Sequence, residues 1–267
     1  MEVLVKERFQ LLLSLKVTEY EINELSKFAK ECDECYELLK VKLDSLHHFM
    51  TDPTNLHRWR EWGEDKDIVS LSEKLREASV QALCEMEKYQ SLRTCNHQLN
   101  ASEYITTLSQ TVKQELDELH INENSKVLFI GSGAFPISAL TIASEKNAEV
   151  HCIDIDEEAV EMGRKVSEIT GLQETVRFSK SVRNDVPFAK RTTHVLIASL
   201  VRNKREVLNE IKDLLQPHTK VILRYGNGLK SIFNYPLEMK LTNDWELKNV
   251  KRSEGIYDTM VLEKMNV

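Results

Sequence analysis

The sequence predicts an α/β domain preceded by an all-α domain, and three observations carry that expectation. First, the chain's punctuation is lopsided: of eight glycines and five prolines in 267 residues, only Gly63 and Pro53 precede residue 120, and the others lie beyond residue 130. Long stretches free of both residues favour helices, because glycine costs backbone entropy and proline removes a hydrogen-bond donor. Second, strand-like and helix-like runs alternate from Val127 onward, the order that builds a mostly parallel sheet with right-handed crossovers and helices on both faces. Third, the first of these strand-like runs ends in Phe129-Ile-Gly-Ser-Gly-Ala-Phe-Pro-Ile-Ser138, a glycine turn feeding a helix, as in a Rossmann-type βαβ unit. The division expected is residues 1–120 helical and residues 121–267 Rossmann-like.

In the helical part, Leu25, Phe28, Ala29, Cys32, Cys35, Tyr36, Leu39, Leu43 and Leu46 recur at three- and four-residue steps, as one buried helix face requires. Thr18 followed by Glu21 reads as a capping-box start, and Asp52-Pro53 as the break that ends the helix it opens. Further helices fit 68–91 and 102–119, the latter with Ser102 as its N-cap. In the second part, strands fit 127–130, 149–153, 176–178, 194–198 and 220–223, with helices over 137–145, 157–169 and 204–215. The runs 237–241 and 259–262 read as an antiparallel addition to the sheet. A ligand of such a sheet belongs at the carboxyl ends of its strands, so the loops after Ile130, Ile153, Phe178, Ala198 and Leu223 are expected to line a site.

The turn itself narrows the ligand. Gly131 and Gly133 let backbone lie bare where a helix N-terminus begins. The third glycine of the dinucleotide pattern is missing, with Phe135-Pro136 in its place, which argues against a pyrophosphate. Asp154-Ile-Asp156 follows at the distance where an acid binds ribose hydroxyls. An adenosine ligand without phosphates fits, and S-adenosylmethionine is the common one; the competing view is a glycine turn with no ligand.

Composition bounds the partners. A net charge of −7 speaks against nucleic acid, since phosphate binding needs a basic surface. No apolar run reaches membrane-spanning length, the first residues are too charged for a signal peptide, and five cysteines suit a reducing compartment, so a cytoplasmic protein is expected. Several motifs take a plain structural explanation. Cys32-Asp-Glu-Cys35 sits in a helical stretch without a second ligand pair, and Cys84, Cys95 and His97 form a site only by assumption. His47-His48 are consecutive and point to different helix faces, Trp59 and Trp62 close one helix on another, and Arg202-Asn-Lys204-Arg205 reads most simply as a solvated helix start, with contact to an acidic substrate as the lesser alternative. No metal site is expected. The apolar run Phe9-Gln-Leu-Leu-Leu-Ser-Leu15 could pack against a second copy.

Taken together, the turn Phe129–Ile137, the segment Ile153-Asp-Ile-Asp156, the late segment Arg224-Tyr-Gly-Asn-Gly-Leu-Lys-Ser-Ile-Phe-Asn-Tyr-Pro236, and Glu85-Met-Glu-Lys88 followed by Tyr104-Ile-Thr-Thr-Leu108 resemble the nicotianamine synthase family. The likeness is to its bacterial branch that makes opine metallophores of the staphylopine type, and it is weaker in the first 70 residues. This resemblance implies transfer of the 3-amino-3-carboxypropyl group of S-adenosylmethionine to the α-amino group of histidine, of the D form in that branch, with release of methylthioadenosine. It also implies an opine dehydrogenase as the next enzyme. Residue by residue, it implies Glu85 and Tyr104 as the catalytic pair, Glu85 taking the amine's proton. Asp154 is implied to hold the ribose, with Gly131, Ser132, Gly133, Pro136 and Ile155 against the co-substrate and Ala198, Ser199 and Leu200 along its thioadenosine side.

Two departures from pattern stand out. Ordinary methyltransferases carry an acid two residues before the first glycine, where this chain has Phe129, and the family's Gly-Asp after the third strand is replaced by Phe178-Ser-Lys-Ser-Val-Arg-Asn-Asp185. Ser181, Asn184 and Asp185 are all open candidates to meet the base. Two other functions stay open from the residues: a small-molecule methyltransferase whose helical domain caps the substrate, and a binding module without turnover.

Overall fold

The computed structural model describes residues 2–96, 103–237, 242, 244–251 and 255–265, with backbone alone for residues 2–4 and 103–105. Helices α1 (Glu2–Glu31), α2 (Cys35–Thr51), α3 (Pro53–Trp62), α4 (Lys66–Cys95) and α5 (Glu103–Leu119) come first. The Thr18 capping box does not start a helix: α1 runs straight through it and stops at the Cys32–Glu34 turn. Leu11, Leu15 and Ile22 on α1 are fully buried, so packing on both sides of Thr18 overrides the local capping signal. Asp52-Pro53 does break the chain, with Asp52 as N-cap of α3, its carboxylate accepting the Asn55 N–H at 2.9 Å, and Pro53 at the first helical position. Ser102 lies outside the described residues.

The second part alternates as expected: β1 (Lys126–Ile130), α6 (Ile137–Lys146), β2 (Glu149–Ile153), α7 (Glu157–Ile169), β3 (Val176–Ser179), α8 (Val186–Ala189), β4 (His194–Ile197), α9 (Lys204–Ile211), β5 (Lys220–Tyr225), β6 (Trp245–Lys251) and β7 (Asp258–Lys264). Among the described residues these strands form one sheet in the order β3-β2-β1-β4-β5-β7-β6, with β1 to β5 parallel and β7 antiparallel to both β5 and β6. The antiparallel addition is thus β6 and β7. Residues 238–241 of the run expected at 237–241 lie outside the described residues, and the strand that pairs with β7 begins at Trp245.

Three apolar clusters hold these layers. Val112, Leu116 and Leu119 of α5 pack with Ile142 and Ala143 of α6 over Val127, Phe129, Val150 and Ile222, one face of the sheet. Leu128, Val195, Val221 and Leu223 meet Phe188 of α8 and Leu208 and Ile211 of α9 on the other. The helical core of α1, α2 and α4 accepts Leu229, Ile232 and Phe233 from the 3-10 turn Gly228–Ile232 that follows β5. Each such side chain contributes about 1.5–3 kcal/mol on burial, so the late segment fastens the sheet to the helices.

Candidate active site

Strand order reverses between β1 and β4, and the crevice at that reversal is where open α/β sheets bind ligands. A cavity of about 610 Å³ opens there, lined by Gly131, Ser132, Gly133, Asp154, Ile155, Ala198, Ser199 and Leu200, by Val80, Cys84 and Glu87 of α4, and by Arg202, Arg224, Tyr235 and Tyr257. Eight of the expected co-substrate residues therefore face one space. Pro136 does not line it: the ring is buried behind the turn, where it precedes the first residue of α6.

The turn is built as its glycines require. Gly131 and Gly133 have φ of 78° and 70°, the left-handed region where a side chain would strain. The N–H groups of Gly131 and Ser132 donate to the Ile153 carbonyl at 2.8 and 3.3 Å, and the Gly133 N–H donates to Asp154 Oδ2 at 2.8 Å. The other oxygen, Oδ1, accepts the Asp156 N–H at 3.0 Å, so Asp154 braces the turn from β2 while remaining at the cavity wall. Beside it Ile155 is 92% exposed, an apolar side chain on the cavity rim with no protein cover.

Glu85 does not line the cavity. It faces α1, with Lys30 Nζ 3.8 Å from its carboxylate, and its charge raises the Tyr36 phenol's affinity for its proton after burial has done so first. The acid that reaches the cavity from α4 is Glu87. Residues two apart on a helix point about 200° apart, so these glutamates cannot share a face. The series Val80, Cys84, Glu87 follows the helical step along the cavity side, and Ser91, one turn on, donates to the Ala134 carbonyl at 2.7 Å. The side chain of Tyr104 lies outside the described residues.

Glu87 is half-buried, its open side turned to the cavity and protein enclosing the rest. Burial pushes its carboxyl up to about 8, and the Asp154 carboxylate pushes the same way, against the backbone N–H groups of Ala134 and Phe135, which it accepts. The acid absent at Phe129 is thus supplied to the same turn from the helical layer. Cys84 also lines the cavity, its side chain exposed there, and the surrounding protein and the Glu87 carboxylate push its thiol up.

Other residues depart from their expected places. Ser181 and Asp185 cap the turn after β3, accepting from Arg183 and Phe188, and neither they nor Asn184 line the cavity. The cluster at 202–205 is a helix start with Arg202, Asn203 and Arg205 exposed, as expected, but its Lys204 is not solvated. Lys204 is 2% exposed, its ammonium donating to the carbonyls of Ser199 at 3.0 Å and Val201 at 2.7 Å, and burial lowers it to about 7. It braces the loop that carries Ser199 and Leu200, while Arg202 lines the cavity.

Arg224 and Tyr235, both inside the late segment 224–236, line the far wall. Arg224 is 3% exposed and donates to Glu115 Oε2 at 2.6 Å and Ser138 Oγ at 2.9 Å, with its guanidinium 4.8 Å from the Tyr257 ring centre. Tyr235 donates its hydroxyl to Glu77 Oε2 at 3.0 Å. Sequence reasoning gave neither a role, and Glu87 was within reach only through the helical step that sets it on the opposite side of α4 from Glu85. Among the described residues no group of three or more His, Cys, Asp or Glu side chains is arranged to hold a metal, and no helix is long and apolar enough to cross a membrane.

Comparison with known proteins follows the same lines. The family model for nicotianamine synthase protein matches residues 66–266, about three quarters of the chain. An L-histidine 2-aminobutanoyltransferase of Pseudomonas aeruginosa is 38% identical over 257 residues, covering 96% of this chain and 98% of that protein. An enzyme of the same name from Yersinia pestis is 30% identical over 255 residues, covering 94% and 95%. A glutamate-to-glutamine mutant of MtNAS superposes with a TM-score of 0.80 at 16% identity, covering 96% of this chain and 98% of that one. The MtNAS mutant in complex with S-adenosylmethionine gives 0.75 at 16% identity, covering 93% and 98%. A switch-point cavity of this build, a family model spanning most of the chain and near full-length relatives all lead to one conclusion: the chain belongs to the nicotianamine synthase family.

Proposed function

We propose that the protein transfers the 3-amino-3-carboxypropyl group of S-adenosylmethionine to the α-amino group of histidine and releases methylthioadenosine. The observation that carries the site assignment is Glu87, a carboxyl raised to about 8 that stands in the cavity against the glycine turn and beside Asp154. The relatives are named for L-histidine, so the acceptor inferred is the L form rather than the D form that the staphylopine likeness suggested.

The residues present fit S-adenosylmethionine. The open glycine turn, a carboxylate at the end of β2 and an uncovered isoleucine beside it match a ligand with a ribose and an apolar ring, and they carry no phosphate cradle. When bound, the co-substrate supplies a sulfonium, which activates each carbon attached to it. Asp154 accepts ribose hydroxyls, Ile155 covers the adenosine, and Ala198 to Leu200 border the thioether side. Glu87 draws the proton from the histidine ammonium. The freed lone pair forms the new nitrogen–carbon bond as the carbon–sulfur bond breaks toward sulfur. Tyr104 remains a proposed partner of that base.

Incubating the protein with S-adenosylmethionine and L-histidine and identifying the nucleoside tests this reading: methylthioadenosine supports it, S-adenosylhomocysteine points to methyl transfer, and neither product points to a binding module. The product retains a primary amine on the transferred group, which suits reductive condensation with a 2-oxo acid by an opine dehydrogenase. The cysteines of the chain are all free thiols, as a cytoplasmic setting allows. Val5, Phe9, Leu13 and Val17 form an exposed stripe along α1 at four-residue steps, which supports a homodimer through that helix.

A further inference from the structure

Tyr235 is one wall of the reaction cavity and is tied to the outside of the molecule by its own contacts. Its main-chain N–H donates to the Ser199 carbonyl at 3.1 Å, and its hydroxyl to Glu77 of α4 at 3.0 Å. The guanidinium groups of Arg76 and Arg202 lie 5.4 and 5.7 Å from its ring centre, and Arg202 Nη2 is 3.8 Å from the second carboxylate oxygen of Glu77. On the far side of this contact is a second hollow of about 560 Å³ between α1 and α4, walled mostly by polar side chains. Its walls carry Glu19 of α1 and Glu73, Lys74, Arg76 and Glu77 of α4. Arg202 lines both spaces, so the Arg202–Glu77–Tyr235 contact stands between the two.

Both substrates of the proposed reaction carry a carboxylate and an ammonium. The described cavity lining offers two guanidinium groups, and Arg224 is already committed to Glu115 deep in the wall. Arg202 is 70% exposed at its side chain and Glu77 47%, and an ion pair in that setting is weak enough to be exchanged. A zwitterionic amino acid can replace both halves at once on its way in, its carboxylate taking Arg202 and its ammonium meeting Glu77 before that ammonium passes into the cavity to Glu87. The charge count at the contact is unchanged by that exchange.

Resting on the transferase reading above, we propose that Arg202 anchors the carboxylate of the acceptor amino acid, which arrives through the polar hollow between α1 and α4 by displacing the Arg202–Glu77 pair. Arg202 is then a specificity residue for amino acids over amines. S-Adenosylmethionine, seated at the glycine turn, does not depend on it.

The experiment compares L-histidine with histamine, which lacks only the carboxylate. In the wild-type protein histidine is favoured in kcat/KM; in Arg202→Ala that preference falls by about 10- to 100-fold, the loss expected of one charged hydrogen-bonding partner. The affinity for S-adenosylmethionine, read by calorimetry, stays within about twofold, and Arg202→Lys recovers part of the preference. Glu77→Gln raises the KM for histidine with little change in kcat. Equal losses for histidine and histamine, or a parallel loss of S-adenosylmethionine affinity, would overturn the assignment. Calorimetric titration of histidine and histamine into wild-type and Arg202→Ala protein saturated with methylthioadenosine reads the same preference without turnover. Failure of the transferase reading would instead appear as no methylthioadenosine released by the wild type, whatever the titration gives.

Discussion

Gly133 and Glu87 stand so close that a β-carbon on the glycine would lie 2.1 Å from Oε2 of the glutamate. Gly133 also has φ of 70°. Gly133→Ala therefore adds backbone strain of about 1–2 kcal/mol and drives the carboxylate off the turn. The displaced atom is the end of a flexible side chain, so the protein is expected to fold. Gly171→Ala is the control, since Gly171 has φ of 73° and a β-carbon there would meet nothing within 4 Å. Both substitutions should lower Tm by a few degrees, but only Gly133→Ala should lose turnover, by more than about tenfold. Equal activity in the two variants would separate Glu87 from the chemistry.

The two glutamates of α4 make a second test. Glu87→Gln keeps one carbonyl oxygen to accept from the Ala134 and Phe135 N–H groups but cannot take a proton, and its turnover is expected to fall by about 10²- to 10⁴-fold with S-adenosylmethionine still bound. Glu85→Gln removes a partner 3.8 Å from Lys30 on the other side of the helix, and its turnover is expected within about twofold of wild type. Single-turnover rates beside calorimetric affinities decide, and the reverse ranking would restore Glu85 as the base.

Titration of Glu87 should show in both rate and stability. A base must be unprotonated, so kcat/KM is expected to rise with pH through an apparent pKa of about 8 in wild type, and Glu87→Gln should lose that limb. For stability, the folded carboxyl holds its proton up to about 8 whereas an unfolded one releases it near its ordinary value of 4.5, so between these the folded state binds more protons. Wild-type stability from this group is thus present below the ordinary value and is lost as pH rises through about 8. The Tm advantage of Glu87→Gln should accordingly grow from pH 5 to pH 8, as differential scanning calorimetry would show. A pH-independent difference would mean that the carboxyl titrates normally.

Much of this arrangement was legible in the chain, and its gaps have physical causes. Strand runs of β-branched residues ending in Gly131, Asp154 and Ala198 specify three loops on one sheet edge, because parallel strands all end on the same side. Thr18 misled because a local capping signal, worth about 1 kcal/mol, yields to the burial of Leu11, Leu15 and Ile22 along one continuous helix. Glu85 and Glu87 could not be separated by composition, only by helical phase relative to a partner that is itself a distant turn. Lys204 reads as a surface charge until the carbonyls of Ser199 and Val201 are found around it, and nothing local in Arg202-Asn-Lys-Arg205 foretells them.

Ile155 offers the sharpest separation of ligand binding from folding. It is 92% exposed yet lines the cavity, so without ligand it packs against almost nothing. Ile155→Ser should leave the Tm of the ligand-free protein within about 1 °C, because a substitution so exposed changes stability by at most about 0.5 kcal/mol. Covering roughly half of an isoleucine by adenosine is worth about 1–1.5 kcal/mol, so the affinity for S-adenosylmethionine should fall by about tenfold. Ile155→Leu conserves the apolar surface and should bind within about threefold of wild type. Calorimetry and the ligand-induced rise in Tm read both. A serine variant that binds as tightly as wild type would place the adenosine elsewhere in the cavity, away from the end of β2.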